Sequence, residues 1–173
     1  MDFLALAKKR HSVRKYKQQP VEKEKLLKIL EAGRVAPTAA NRQPQRILVI
    51  QEKPGLDKAA KAVKTFDAPV ILIVCGDQSE AWVRSLDNKN SLDIDTSIVT
   101  VHMMMQAAEL GLGSVWMGFF DTKILAKEFQ LPDHIIPVNI LLIGYSDSPA
   151  PSDERHSTQR KPLSETVFYE KLN

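Results

Sequence analysis

Apolar residues along this chain fall into runs that alternate between a helical and an extended period. Phe3, Leu4, Leu6 and Ala7 make a short apolar helix at the start. Leu26, Ile29, Leu30 and Gly33 follow the i, i+3, i+4, i+7 spacing of one buried helix face, with Glu and Lys opposite. Ile47-Leu48-Val49-Ile50 is β-branched and apolar on both faces, which predicts a strand in the middle of a covered sheet. After Pro54-Gly55, helical spacing returns at Leu56, Ala59, Ala60 and Val63, and Val70 to Cys75 gives a second, fully apolar strand. Residues 77–92 are polar and weakly patterned, and are expected to form a mobile loop with Trp82 in a short helix.

The next run is apolar almost all round. Ile94, Ile98, Val101, Met105 and Ala108 share one side, while Val99, Met103, Met104 and Ala107 fill the other. With Asp93 or Asp95 as cap, this predicts a long helix to Leu110, central in the structure or at a subunit interface. Gly111-Leu112-Gly113 ends it, Ser114 to Met117 reads as a strand closed by Gly118, and Asp121 caps a helix through Phe129 that Leu131-Pro132 stops. Val138 to Ile143 is the last strong strand. The tail from Arg160 to Asn173 carries Val167-Phe168-Tyr169, which needs a surface to pack on, of its own chain or of a partner. A chain of 173 residues is long enough to bury a real core without disulfides, and residues 1–173 are expected to form a single domain.

Charge changes the picture in one place. Net charge is +3, but residues 1–28 hold nine Lys and Arg against three Asp and Glu, so the rest of the chain is net negative. Arg10-His11-Ser12-Val13-Arg14 concentrates two guanidiniums, an imidazole and a hydroxyl, with no carboxylate nearer than Asp2 or Glu22. Such a cluster suits an anion, the plain alternative being a solvated basic elbow. Only Phe3 and Tyr16 are aromatic in this region, which favours a small anionic ligand over nucleic acid. A second aperiodic stretch, Ala36 to Pro44, sets small residues between two prolines and would let a flat ligand approach its backbone.

Several chemistries are excluded. Gly111, Gly113 and Gly118 do not make a dinucleotide fingerprint, because Trp116 stands where the third glycine belongs. No Gly-Lys-Ser/Thr phosphate loop and no Gly-x-Ser-x-Gly elbow occurs. His11, His102, His134 and His156 are scattered, so no metal site is expected, and His102 reads as a packed helix residue. The single Cys75 lies in an apolar run, as a buried inert thiol in a reducing compartment would. Met1 to Lys9 is too short and too early charged for a signal peptide, and no run reaches membrane-span length, so a cytoplasmic protein with no membrane partner is expected.

Four stretches together resemble the flavin-dependent nitroreductase family in order and spacing: Arg10 to Tyr16, Ala36 to Pro44, Gly111 to Gly118, and Arg160-Lys161-Pro162-Leu163. They cover nearly the whole chain, as a short member without the long insertion of some relatives. The resemblance implies an α+β fold with a mixed β-sheet flanked by helices. It also implies a homodimer with FMN at the subunit interface and a C-terminal tail that reaches the partner's sheet. It further implies NADH or NADPH as reductant, a ping-pong hydride transfer, and a small-molecule electron acceptor such as a nitroaromatic or a quinone. No side chain need serve as acid or base. A different reaction on the same fold (dehydrogenation, dehalogenation, flavin destruction), decided by loop 77–92, and a non-catalytic flavin- or anion-binding module are the competing readings.

Residue by residue, Arg10 and Ser12 match positions that hold the flavin phosphate and ribityl chain, with His11 beside them and Arg160 completing the phosphate site. Arg14 matches a cation near the ring edge where negative charge gathers on reduction, and so tunes the flavin. Pro37, Thr38, Ala39 and Asn41 match the loop a second subunit lays against the ring, and Gln43 helps at the ring edge or pins the loop. Met117 and Gly118 match the segment whose backbone approaches the flavin N5, although Gly118 also fits a plain strand-end turn. Two positions depart from the family pattern: Gln45 stands in place of Trp, and Thr158 in place of Lys, which leaves Lys161 to compensate at the phosphate.

Overall fold

A computed structural model describes residues 2–172. Helix α1 (Phe3–Lys9) is capped by Asp2, whose side chain accepts from the Ala5 amide, and α2 (Lys23–Arg34) follows the elbow. Strand β1 (Gln45–Ile50), helix α3 (Lys53–Ala60) and strand β2 (Val70–Asp77) lead to the long helix α4 (Leu92–Glu109). Then come β3 (Gly113–Met117), α5 (Thr122–Glu128), β4 (Ile135–Gly144) and the short α6 (Arg155–Thr158). Asp121 caps α5 as expected, accepting from the amides of Lys123 and Ile124. The long α4 also spans what its apolar pattern predicts, but its cap is Ser91 rather than Asp93 or Asp95.

The four strands form one sheet in the order β1-β2-β4-β3, and every neighbouring pair is antiparallel. The mixed character expected of the sheet is confined to a single parallel bridge, Ser12 to Ser114. Strand β2 is buried along its whole length, and its alternation divides the core. Val70, Leu72 and Val74 face α2 and α4 with Leu26, Ile29, Val99 and Met103. Ile71, Ile73 and Cys75 face the other layer with Ala59, Val115 and Leu125. Gly33 lets α2 and α4 approach, since a Cβ there would lie 2.9 Å from Met103 Cγ.

Two expectations from the hydrophobic pattern are corrected. Strand β1 is at the edge of the sheet and not in its middle, with Val49 exposed. A both-faces-apolar run signals covered faces, and says nothing about whether the backbone edge has a neighbour. Residues 78–91, between β2 and α4, hold no helix around Trp82 and are folded back on themselves: Val83 bridges Asn90, Arg84 pairs with Asp87, and the Ser91 amide donates to the Trp82 carbonyl.

Cys75 is buried, and burial pushes its thiol up to about 12, as an inert core residue requires. No helix among the described residues is long and apolar enough to cross a membrane.

Candidate functional site

The Arg10–Arg14 segment is not a free elbow. It leaves the C-terminus of α1 in extended conformation and is stitched to the sheet: Ser12 bridges Ser114, the Val13 amide donates to the Ser114 carbonyl, and Tyr16 bridges Ser146. Val13 is buried against Gly113, where a Cβ would come within 2.6 Å of Val13 Cγ2. Tyr16 is buried too and donates to the Val13 carbonyl at 2.9 Å. On either side of Val13, Ser12 and Arg14 are exposed, as is Lys15. A recess of about 330 Å³ opens here, with His11, Ser12, Arg14 and Lys15 on one side and Ser148, Pro149 and Pro151 on the other.

The far end of the chain returns to this point. Arg160 and Arg155 lie near Arg10, and burial together with these two cations pulls the Arg10 pKa below its ordinary value. Guanidiniums cannot relieve such crowding by losing a proton, so their gathering calls for an anion. Among the described residues neither Arg10 nor Arg160 forms an ion pair with a carboxylate. His11 adds a second open valence. Its Nδ1 lies 3.2 Å from the Lys9 carbonyl, which fixes the proton there, while its Nε2 is buried with no partner. That nitrogen is left to accept from a hydroxyl, or to donate to a phosphate when the ring is protonated. The donor set therefore fits the phosphate and polyol of FMN.

Sequence reasoning missed Arg155 and His156. Arg155 donates to the carbonyls of Lys8, Arg10, Pro151 and Ser152, and His156 Nε2 lies 2.8 Å from the Lys8 carbonyl. These contacts fasten the C-terminal segment to the end of α1 and carry Arg160 toward Arg10. Lys161, the cation left to compensate for Thr158, is exposed and lies 3.7 Å from the Glu165 carboxylate. Thr158 is exposed, and its hydroxyl donates to the Glu154 carbonyl. An Arg-His pair in an otherwise Ser- and Pro-rich tail was the available signal.

From Ser114 the strand β3 leads away from the elbow to Gly118, about 13 Å along at the usual rise. Glycine at 118 answers no need of the chain itself: its φ is not in the left-handed region, and a Cβ would meet nothing within 4 Å. The strand-end turn alone therefore does not explain it. Met117 is half-buried, and Phe119 beside Gly118 is 93% exposed.

Loop 36–44 forms a third part, and its residues do not line the recess. Its shape is unusual, with Ala40, Asn41 and Gln43 all in the left-handed region at φ of 48°, 53° and 52°. Thr38 Oγ1 accepts from the Gln43 amide, and Gln43 Nε2 donates to the Asn41 carbonyl, so Gln43 pins the loop. The Ala39 amide donates to the buried Asp95. Pro37, Asn41 and Gln43 are exposed, and Thr38 and Ala39 half-buried.

A groove of about 920 Å³ lies away from this chemistry. It runs between α1, α2 and α4, where Phe3, Leu6, Leu27, Val35, Val101 and Met105 give it an apolar lining.

Comparison with known proteins follows this geometry closely. The model of the nitroreductase family matches residues 7–66 and 57–145. A crystal structure of a nitroreductase family protein from Clostridium difficile 630 superposes with a TM-score of 0.98 at 55% identity, over 99% of this chain and 100% of that one. An FMN-dependent nitroreductase from Clostridium difficile R20291 gives a TM-score of 0.79 at 27% identity, over 98% and 100%. A protein of Methanothermobacter thermautotrophicus named for NADH dehydrogenase/NAD(P)H nitroreductase activity is 31% identical over 167 residues, covering 88% of this chain and 82% of its own length.

Proposed function

The chain belongs to the nitroreductase family, and from that premise we propose that it is an FMN-dependent NAD(P)H oxidoreductase whose site runs from the Arg10 elbow along β3 to Gly118. The observation that carries this reading is the approach of Arg160 to Arg10, in the segment that Arg155 fastens, together with the unpartnered Nε2 of His11, an anion site assembled from both ends of the chain. When bound, FMN supplies the hydride and electron transfer; the protein's part is grip, orientation and charge.

Arg10 and Arg160 hold the phosphate with guanidinium forks, and Ser12 and His11 meet the ribityl hydroxyls. Arg14, exposed on the same stretch, sets a fixed cation beside the ring edge where negative charge accumulates on reduction. Gly118, with Met117 before it, leaves the backbone bare toward the ring. Pro37, Thr38, Ala39, Asn41 and Gln43 form the rigid surface that meets the ring from a second subunit.

Two observations support a homodimer as the working unit, with residues 1–173 of each copy acting as one domain. The apolar groove of α1, α2 and α4 and the exposed Ile94 and Val101 leave a wide face of α4 uncovered by its own chain. Among the described residues the outer edge of β1 has no strand beside it, and Val167, Phe168 and Tyr169 of the tail are unburied, as a tail that adds a strand to the partner's sheet would be. NADH or NADPH reduces the enzyme, a nitroaromatic, quinone or similar small molecule reoxidises it, and the cytoplasm is where both are found. Residues 77–92 are the segment assigned to selecting the acceptor.

Titration of the purified protein with FMN and with riboflavin tests the anion site. FMN is expected to bind at least about 100-fold more tightly, since only it carries the phosphate. Equal affinity for the two would contradict the role given to Arg10 and Arg160.

A further inference from the structure

Beyond these residues, we infer that Asp95, which is given no contact with the flavin, is the positioning residue that sets the shape of the ring-facing loop. This rests on the reading of residues 37–43 as that surface. Asp95 is 1% exposed and lies in the first turns of α4, on the stripe continued by Val99, Met103 and Ala107 that faces the sheet. A carboxyl group there is costly to bury unless its oxygens are used. Both are used: Oδ1 accepts from the Ala39 amide at 2.8 Å, and Oδ2 from the Ser91 hydroxyl at 2.8 Å.

Ala39 opens the tight turn Ala39–Asn41, and the three left-handed residues follow directly at 40, 41 and 43. None of them is glycine. Left-handed backbone in such residues persists only where the surroundings over-determine it. Within the loop, Thr38 and Gln43 brace one another, but both sit on the loop and would move with it. From outside the loop, exposed Arg46 of β1 donates to the Gln43 carbonyl at 3.3 Å, and the bond from buried Asp95 ties the turn to the core. It also joins the loop to the same helix whose outer face lines the apolar groove, so loop position and helix position are set together.

The test compares wild type with Asp95→Ala, Asp95→Asn and Ala39→Pro, reading FMN affinity, the visible circular dichroism of the bound ring, and amide exchange of residues 38–43. Ala39→Pro deletes the same hydrogen bond from the loop side. Thr38 before it is already extended (φ −134°, ψ 157°), which proline permits, so this variant serves if Asp95→Ala does not fold. Asp95→Ala and Ala39→Pro are expected to speed amide exchange in the loop, shift the ring signal toward free flavin, and weaken FMN by about 10-fold to 100-fold. Asp95→Asn, which keeps an acceptor for Ala39 and offers a donor to Ser91, is expected to restore most of the ring signal. If wild type binds FMN while Asp95→Ala and Ala39→Pro leave ring signal and affinity unchanged, the positioning role is wrong and the flavin site stands. If wild type binds no FMN, the site reading fails and this inference with it.

Discussion

The two ends of the candidate site are built on opposite plans. At the phosphate end the chain closes the site by itself: Arg155 and His156 clasp the Lys8 carbonyl, the elbow is bridged to Ser114 and Ser146, and Val13 and Tyr16 anchor it in the core. At the ring end nothing closes. Loop 36–44 stands exposed with its backbone in three left-handed residues, Gly118 looks into open space, and Phe119 beside it is uncovered. Affinity for the anion can therefore reside in one subunit, while the environment of the ring depends on a surface the chain does not provide for itself. Grip and chemistry are separable in this architecture.

The sharpest way to break that contrast is Arg10→Ala. Loss of a forked, charge-assisted contact is expected to weaken FMN by about 100-fold or more while riboflavin binding changes little. Equal losses for the two flavins would show that Arg10 acts through folding. Arg155→Ala is expected to weaken FMN by roughly 10-fold through Arg160, which it delivers, and to raise protease sensitivity in residues 150–172. At the ring end, Gly118→Val has space for its side chain, so melting should shift by no more than about 0.5 kcal/mol while turnover falls roughly 10-fold. A large loss of stability with turnover intact would return Gly118 to a structural role.

Smaller effects refine the division. Arg14→Ala is expected to lower the flavin's reduction potential by about 30 mV, as loss of a fixed charge worth roughly 1.4 kcal/mol to a two-electron couple would, with FMN affinity nearly kept. Lys161→Ala should leave affinity within about twofold, because Lys161 is exposed and its charge is screened by solvent.

What the sequence made legible follows the same line. Strand β2 was readable because both its faces are buried and its apolar run from Val70 to Cys75 is uninterrupted, and β4 because Ile140 to Ile143 is a buried apolar run. The elbow was readable because five residues carried uncompensated charge. The edge position of β1 was not, since it depends on which strands lie beside it, and composition along one strand does not encode that. The left-handed residues at 40, 41 and 43 were hidden because none is glycine. Asp95 was visible as a carboxyl group interrupting the apolar stripe of Val99, Met103 and Ala107, but its partner lies 56 residues away, and a local reading assigns it a cap. Arg155 and His156 act on a carbonyl 147 and 148 residues away, which only the folded chain brings near.

The most direct measurement is the anaerobic absorption spectrum of the FMN-loaded protein before and after NADH and NADPH. The visible flavin band should bleach with one or both reductants and return when a nitroaromatic or quinone is admitted. A protein that takes up no FMN, or whose bound flavin stays oxidised with either nucleotide, would contradict the account.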